Sequence, residues 1–234
     1  MIFQNFQSGS YYGEFGVLGR SEVPDELFSG GNSYLKIKKF LSLLFRLPPE
    51  SVILLNQVHG SVVFRVPAEI SEEANGDGIF TTSPNYLLVI KTADCMPIYF
   101  WSESKPFIAL LHSGWRGTHR QITEQFLSRI QSEIDRKELR SFLGPCIRQE
   151  DYEVDEFVIN HFLEYPTACT EGVREGKFQL GLEKVLDSIL KKEGVKLDDC
   201  GISVFQDERY YSHRKGDQGR NLNYILLRPS PGST

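Results

Sequence analysis

Cysteine is scarce in this chain. Its 234 residues hold four, with two methionines and two tryptophans. Cys95, Cys146, Cys169 and Cys200 form no Cys-x-x-Cys pair, and a chain of this length needs no disulfide stapling. Reduced thiols in a cytosol are the default, and each cysteine reads first as a small buried hydrophobe. Long apolar runs are also missing. None approaches the roughly 18 residues of a membrane helix. The opening MIFQNFQSGS lacks the basic region and apolar stretch of a secretory signal, so a cytoplasmic protein is expected. Positive charge is not in excess either. Lys plus Arg total 26 against 31 Asp plus Glu, a formal charge of −5, which excludes a basic field for nucleic acid or an anionic membrane. No GxGxxG follows a first strand and there is no GxxxxGK[ST], so nucleotide binding through those loops is not supported.

Aromatic bulk is plentiful. Sixteen Phe and ten Tyr, within a 40% apolar composition, supply a sizeable core. Ile37, Phe40, Leu41, Leu44 and Phe45 make one helical face over residues 33–47, stopped by Pro48 and Pro49. The Ser29–Ser33 stretch before it, containing Gly30 and Gly31, reads as a loop. Further helices are expected over 121–134, 155–165 and about 180–193. Strands are expected at 52–55, 61–66, 86–90, 98–101, 107–111, 139–143, 202–205 and 222–227, where β-branched and aromatic residues lie between Pro and Gly. Several strands follow one another without a helix. That argues for an α+β fold with mixed sheets rather than a regular βαβ series, and no linker or repeat divides the chain.

Four polar segments interrupt the apolar strands: Asn56–Gly60, Gly76–Gly78, Thr92–Pro97 and His112–Thr118. His59, Cys95 and His112 fall at or just beyond strand ends, which are rigid places from which to deliver side chains. Two imidazoles and a thiolate suit zinc, and three protein ligands leave the fourth position open, as in catalytic sites. The ligands are far apart in sequence, so the fold has to bring them together. The same residues permit a metal-free alternative, with Cys95 as nucleophile, His112 as its base and Asp94 or Asp77 orienting the imidazole. A non-catalytic binding module is a third reading. Asp77 or Asp94 could move a proton in the zinc reading. Arg116, Arg214 and Arg220 could hold phosphate. Gln57 is placed with Arg214 and Arg220 as substrate-binding.

Taken in order, NQVHG, GDGIFTT, KTADCMPIYF, ALLHSGWRGT and FLGPCI…YEVDEF resemble the YfiH-like, laccase-domain family, also called the multicopper polyphenol oxidase or purine nucleoside phosphorylase YfiH family. The likeness runs from about residue 5 to 227 and takes in Tyr211–Lys215 and Gly219-Arg220 near the end. It implies a single α+β domain over residues 1–234, of layered mixed β-sheets flanked by helices. It places the family's metal ligands on His59, Cys95 and His112, with zinc as the ion and copper as the alternative. It further implies phosphorolysis of adenosine, inosine, guanosine and methylthioadenosine, and deamination of adenosine. Purine nucleoside and phosphate would be the partners. Copper oxidation of phenols is an older assignment, and cell-wall precursor editing by a thiol hydrolase is another. Five histidines, His59, His112, His119, His161 and His213, cannot furnish the roughly ten that a four-copper cluster takes alongside a blue site. Many members carry Cys-Thr before the terminal Ser-x-Arg motif. This chain has Ser203-Val204-Phe205-Gln206 there.

Overall fold

A computed structural model describes residues 2–29, 31–71 and 74–229. The chain opens with strands β1 (Ile2–Ser8) and β2 (Tyr11–Leu18), then helix α1 (Ser33–Phe45) and strands β3 (Val52–Leu54) and β4 (Val63–Arg65). Next come β5 (Gly78–Thr81), β6 (Leu87–Thr92), β7 (Met96–Ser102), β8 (Ile108–Ser113) and helices α2 (Trp115–His119) and α3 (Ile122–Ile130). The remainder is β9 (Leu139–Leu143), β10 (Glu153–Asp155), α4 (Glu156–Ile159), β11 (Cys169–Glu171), β12 (Lys177–Leu180), α5 (Leu182–Lys192), β13 (Lys196–Asp199) and β14 (Asn221–Pro229).

Two mixed sheets stack face to face. One runs β1-β2-β14-β6-β3 and the other β13-β9-β7-β8-β5-β4. A small sheet, β10-β12-β11, lies apart from both. Period-two alternation explains why the central strands are apolar on both sides. On β6, Leu88 and Ile90 face inward, where they meet Tyr99, Ile108, Leu110 and Phe142 of the second sheet. Leu87 and Val89 face outward and pack under Ile37 and Leu41 of α1. On β7 and β8, Ile98, Phe100, Ala109 and Leu111 turn away from the first sheet toward Phe126 and Leu127 of α3 and Val185 and Leu186 of α5. The result is four layers, helix–sheet–sheet–helix, and it agrees with the α+β arrangement expected from the sequence.

Several boundaries differ from the sequence reading. The helix expected over 121–134 ends at Ile130, although Ile134 is still buried in the same core. The helix expected over 155–165 is a single turn, Glu156–Ile159, followed by turns as far as Tyr165. Phe157 and Leu163 stay exposed, so no continuous apolar stripe holds a longer helix down. Residues 202–205 form no strand. An isolated bridge joins Ser203 to Cys146, and residues 204–206 then turn. The hairpin of β1 and β2 has no apolar run to announce it. Its strands are paired residue for residue, and Gln4, Asn5 and Gln7 interrupt its alternation. Of the loop before α1, Gly30 lies outside the described residues.

Phe126 is fully buried, with its ring centroid 4.9 Å from Phe100 and 6.3 Å from both Phe80 and Phe107. Replacing Phe126 by Ala leaves a cavity between α3 and the second sheet. The expected loss is about 3–5 kcal/mol of unfolding free energy, read from urea denaturation.

Candidate metal centre

The chain changes sheets between β6 and β7. The crossing is made by Ala93, Asp94 and Cys95, and Asp94 takes it at a φ of +94°. That left-handed backbone is uncommon for a residue with a side chain. It is held from outside: both Asp94 oxygens accept hydrogen bonds, from Ser212 Oγ at 2.6 Å and from the Arg214 backbone N–H at 2.8 Å. The Asp94 carbonyl accepts the Ile147 N–H at 2.9 Å. The turn therefore fixes Cys95 at the head of β7.

Antiparallel pairing of β7 with β8 places Pro97 opposite His112 and Met96 opposite Ser113. Cys95, one residue further back, comes beside Gly114. A Cβ built on Gly114 would lie 2.6 Å from Cys95 Sγ, so the backbone can approach the sulfur this closely only without a side chain. His59 arrives from the loop between β3 and β4, at a φ of +56°. The ligand atoms of His59, Cys95 and His112 all lie within 4.8 Å of one another. The two imidazole centroids are 4.8 Å apart with planes crossing at 76°. Donor atoms around a tetrahedral zinc are separated by roughly 3.5 Å, given bond lengths of about 2.0–2.3 Å. The exposed His59 is the least enclosed of the three, so it has the most room to adjust toward such a spacing.

Asp77 unites two of these ligands. It is fully buried. The His112 Nδ1–H donates to its Oδ1 at 2.8 Å, which turns Nε2 of that ring toward Cys95. The carboxylate also accepts the backbone N–H groups of Val58 at 3.3 Å, His59 at 3.0 Å and Gly60 at 2.6 Å. Burial alone would raise its pKa; the bonds from His112, Gly60 and His59 outweigh that and hold it below the ordinary carboxylate value. This is the carboxylate–histidine pairing that orients metal-binding imidazoles.

Burial also pushes the Cys95 thiol up, but His112 and His59 overcome it and hold the pKa down at about 6. Burial would lower the pKa of His112; the Cys95 thiolate and then Asp77 carry it up to about 9. In the metal-free pocket Cys95 and His112 thus form a thiolate–imidazolium pair near neutral pH.

A cavity of about 610 Å³ opens over these three residues. Of the other residues singled out in the sequence, Gln57, Asp94, Arg116, Arg214 and Arg220 also line it. Asp77 does not reach it. Gln57 is bound at both ends of its amide to the Lys91 backbone, accepting from N–H and donating to C=O at 2.8 Å each. Arg116 lies over the Trp115 ring at 4.3 Å, and Arg214 over Tyr152 at 5.3 Å. Lys91 and Tyr152 are cavity residues that the sequence reading did not single out. Lys91 follows the apolar run Leu87–Ile90 of β6, a signal visible in the sequence. Burial, and then the neighbouring Cys95, push the Tyr152 phenol well above the ordinary value. His119 and His161 pair with each other at 4.0 Å and take no part in the cavity lining.

The fold and the site define a member of a known family. The sequence model for multi-copper polyphenol oxidoreductase laccase matches residues 35–228, and the chain belongs to that family. A purine nucleoside phosphorylase of Staphylococcus epidermidis is 30% identical over 203 residues, covering 79% of this chain and 76% of its own. A purine nucleoside phosphorylase of Rickettsia conorii is 29% identical over 163 residues, covering 68% and 67%. Among solved structures, protein NMB0706 of Neisseria meningitidis shares the fold with a TM-score of 0.80 at 22% identity, over 97% of this chain and 99% of that one. YlmD of Geobacillus stearothermophilus gives 0.75 at 25% identity, over 97% and 90%.

In metal-free protein, alkylation of Cys95 by iodoacetamide should accelerate as pH rises through about 6, where the thiol gives up its proton. His112→Ala removes the largest of the influences that hold that value down. The midpoint should then move up toward the ordinary thiol range, measured as alkylation rate against pH.

Proposed function

We propose that this chain is a zinc-dependent purine nucleoside phosphorylase with accompanying adenosine deaminase activity. Its substrates are adenosine, inosine, guanosine and methylthioadenosine, and it works in the cytoplasm. One observation carries the reading: a His₂Cys donor set lies on the wall of a cavity that three arginines also line. The names of the Staphylococcus and Rickettsia relatives point the same way.

The donor set fits zinc. Its sulfur is already inclined to the thiolate form, and Asp77 fixes the tautomer of the buried imidazole. His59, Cys95 and His112 would hold the ion, which supplies Lewis acidity and an activated water when bound. In phosphorolysis an oxygen of phosphate forms a bond to ribose C1′ while the C1′–N9 bond breaks. The electron pair leaves with N9, and the purine takes up a proton. Arg116, Arg214 and Arg220 present guanidinium groups to phosphate oxygens, a geometry suited to paired hydrogen bonds. Half-buried Trp115 and Tyr152 offer flat apolar surface to the base. Asp77, fully buried and bonded to four donors, acts as a positioning residue. Asp94, which lines the cavity, holds the Cys95 turn with both oxygens.

A second reading has an observation of its own. Asp77, His112 and Cys95 are linked in series, with the thiolate–imidazolium pair expected of a cysteine hydrolase. Cell-wall precursors would be its substrate class. Copper oxidation of phenols is weaker. Among the described residues one group of three or more metal-binding side chains is assembled, far short of a four-copper arrangement.

Three experiments test these readings. Zinc-loaded protein given inosine and phosphate should release hypoxanthine and ribose 1-phosphate, and adenosine should also yield inosine. Cys95→Ala should lower both rates at least 100-fold, and release equal to that of Cys95→Ala would remove the assignment. Activity that survives chelation but not alkylation would favour the hydrolase. Asp77→Asn should weaken zinc binding about 10–100-fold, measured by competition with a chromogenic chelator.

A further inference from the structure

Lys91 stands where the apolar face of β6 runs out. Leu87 and Val89 pack beneath α1, and Lys91 continues that alternation into the cavity. Leu222 of β14 pairs with it across the ladder, and Arg220 precedes Leu222 by two residues. The side chain is half-buried, and its Nζ makes no hydrogen bond or ion pair among the described residues. Burial lowers its pKa, and the Arg220 guanidinium pushes the same way. Two cations therefore face each other across a partly dry wall. Arg220 is fastened at one nitrogen, Nη1, which donates to the carbonyls of Gln218 at 2.9 Å and Gly219 at 2.7 Å. The rest of its fork stays available. Among the described residues the one carboxylate lining the cavity belongs to Asp94, and both of its oxygens are already engaged by Ser212 and Arg214. Gln57 holds the Lys91 backbone through both its N–H and its C=O, which fixes where the lysine leaves the strand.

Like charges brought together and partly desolvated repel, and an anion between them reverses the sign of the interaction. A lysine and an arginine with unused donors are the pair that tetrahedral oxyanions attract. We propose that Lys91 and Arg220 form an oxyanion subsite on the β6–β14 wall of the cavity, and that its occupant is the phosphate co-substrate. The identity of the occupant rests on the phosphorylase reading; the subsite itself does not.

Titrating inorganic phosphate into the zinc-loaded protein without nucleoside, by isothermal calorimetry, measures the subsite directly. Lys91→Met should weaken phosphate binding about tenfold or more, and Lys91→Arg should recover much of it. Arg220→Met should show the same loss, and it serves as the reading if Lys91→Met fails to fold. In turnover, the KM for phosphate should rise about tenfold while the KM for inosine changes less than twofold. Phosphate binding unchanged in both Met variants would overturn the subsite, as would wild-type protein that binds no phosphate. Protein that binds phosphate through Lys91 yet releases no base would keep the subsite and overturn the phosphorylase. Base release with an unchanged phosphate KM in Lys91→Met would do the reverse.

Discussion

One buried carboxylate organises the candidate centre. Asp77 takes the Nδ1–H of His112 on one side and three consecutive amides of the Val58–Gly60 loop on the other. An imidazole at the end of β8 and a loop leaving β3 are thereby referred to a single point. A buried carboxylate without such partners would cost several kcal/mol. Here four donors compensate for the lost solvation, and the same bonds fix where the ligands stand. The left-handed His59 backbone belongs to this arrangement, since it lets three successive N–H groups turn toward one anion.

The third ligand depends on a different device. Cys95 sits where the chain passes from one sheet to the other, and its neighbour Asp94 pins that crossing to residues 212–214. The segment bearing His213 and Arg214 is held beside Cys95 by the same carboxylate. Protein and cavity are built from the seam outward, so the polar residues collect where the ladders end and not on the strands' buried faces.

Much of this was legible in the sequence because the signals were strong and local. Leu182, Val185, Leu186, Ile189 and Leu190 repeat at helical spacing and form the buried side of α5. Runs such as Ile108–Leu111 are apolar on both faces, and they lie between a sheet and a helix layer as such runs should. His59, Cys95 and His112 drew notice as polar residues at strand ends. Their meeting was not in the spacing of 36 and 17 residues; it followed from the family motifs and from the fold. Other features could not be read locally. β1 carries Gln4, Asn5 and Gln7, and only its partner β2 makes it a strand. Asp155–Tyr165 carries apolar residues that nothing covers, so a helical pattern collapses to one turn. The role of Asp77 depends on His112 and on the Val58–Gly60 amides, both remote from it in sequence.

The position of β14 has a bearing on biosynthesis. This strand, drawn from residues 221–229, lies in the middle of its sheet, between β2 and β6. While the ribosome is still making the earlier residues, the β1–β2 hairpin and the β3–β6 pair have no common partner. Residues 221–229 complete the sheet, and the nearby residues around Arg214 and Arg220 can line the cavity only once that strand is available. Until β14 docks, Cys95 and both imidazoles lack their finished enclosure, and the contacts with His112 and His59 that hold the thiol pKa down are not yet assembled.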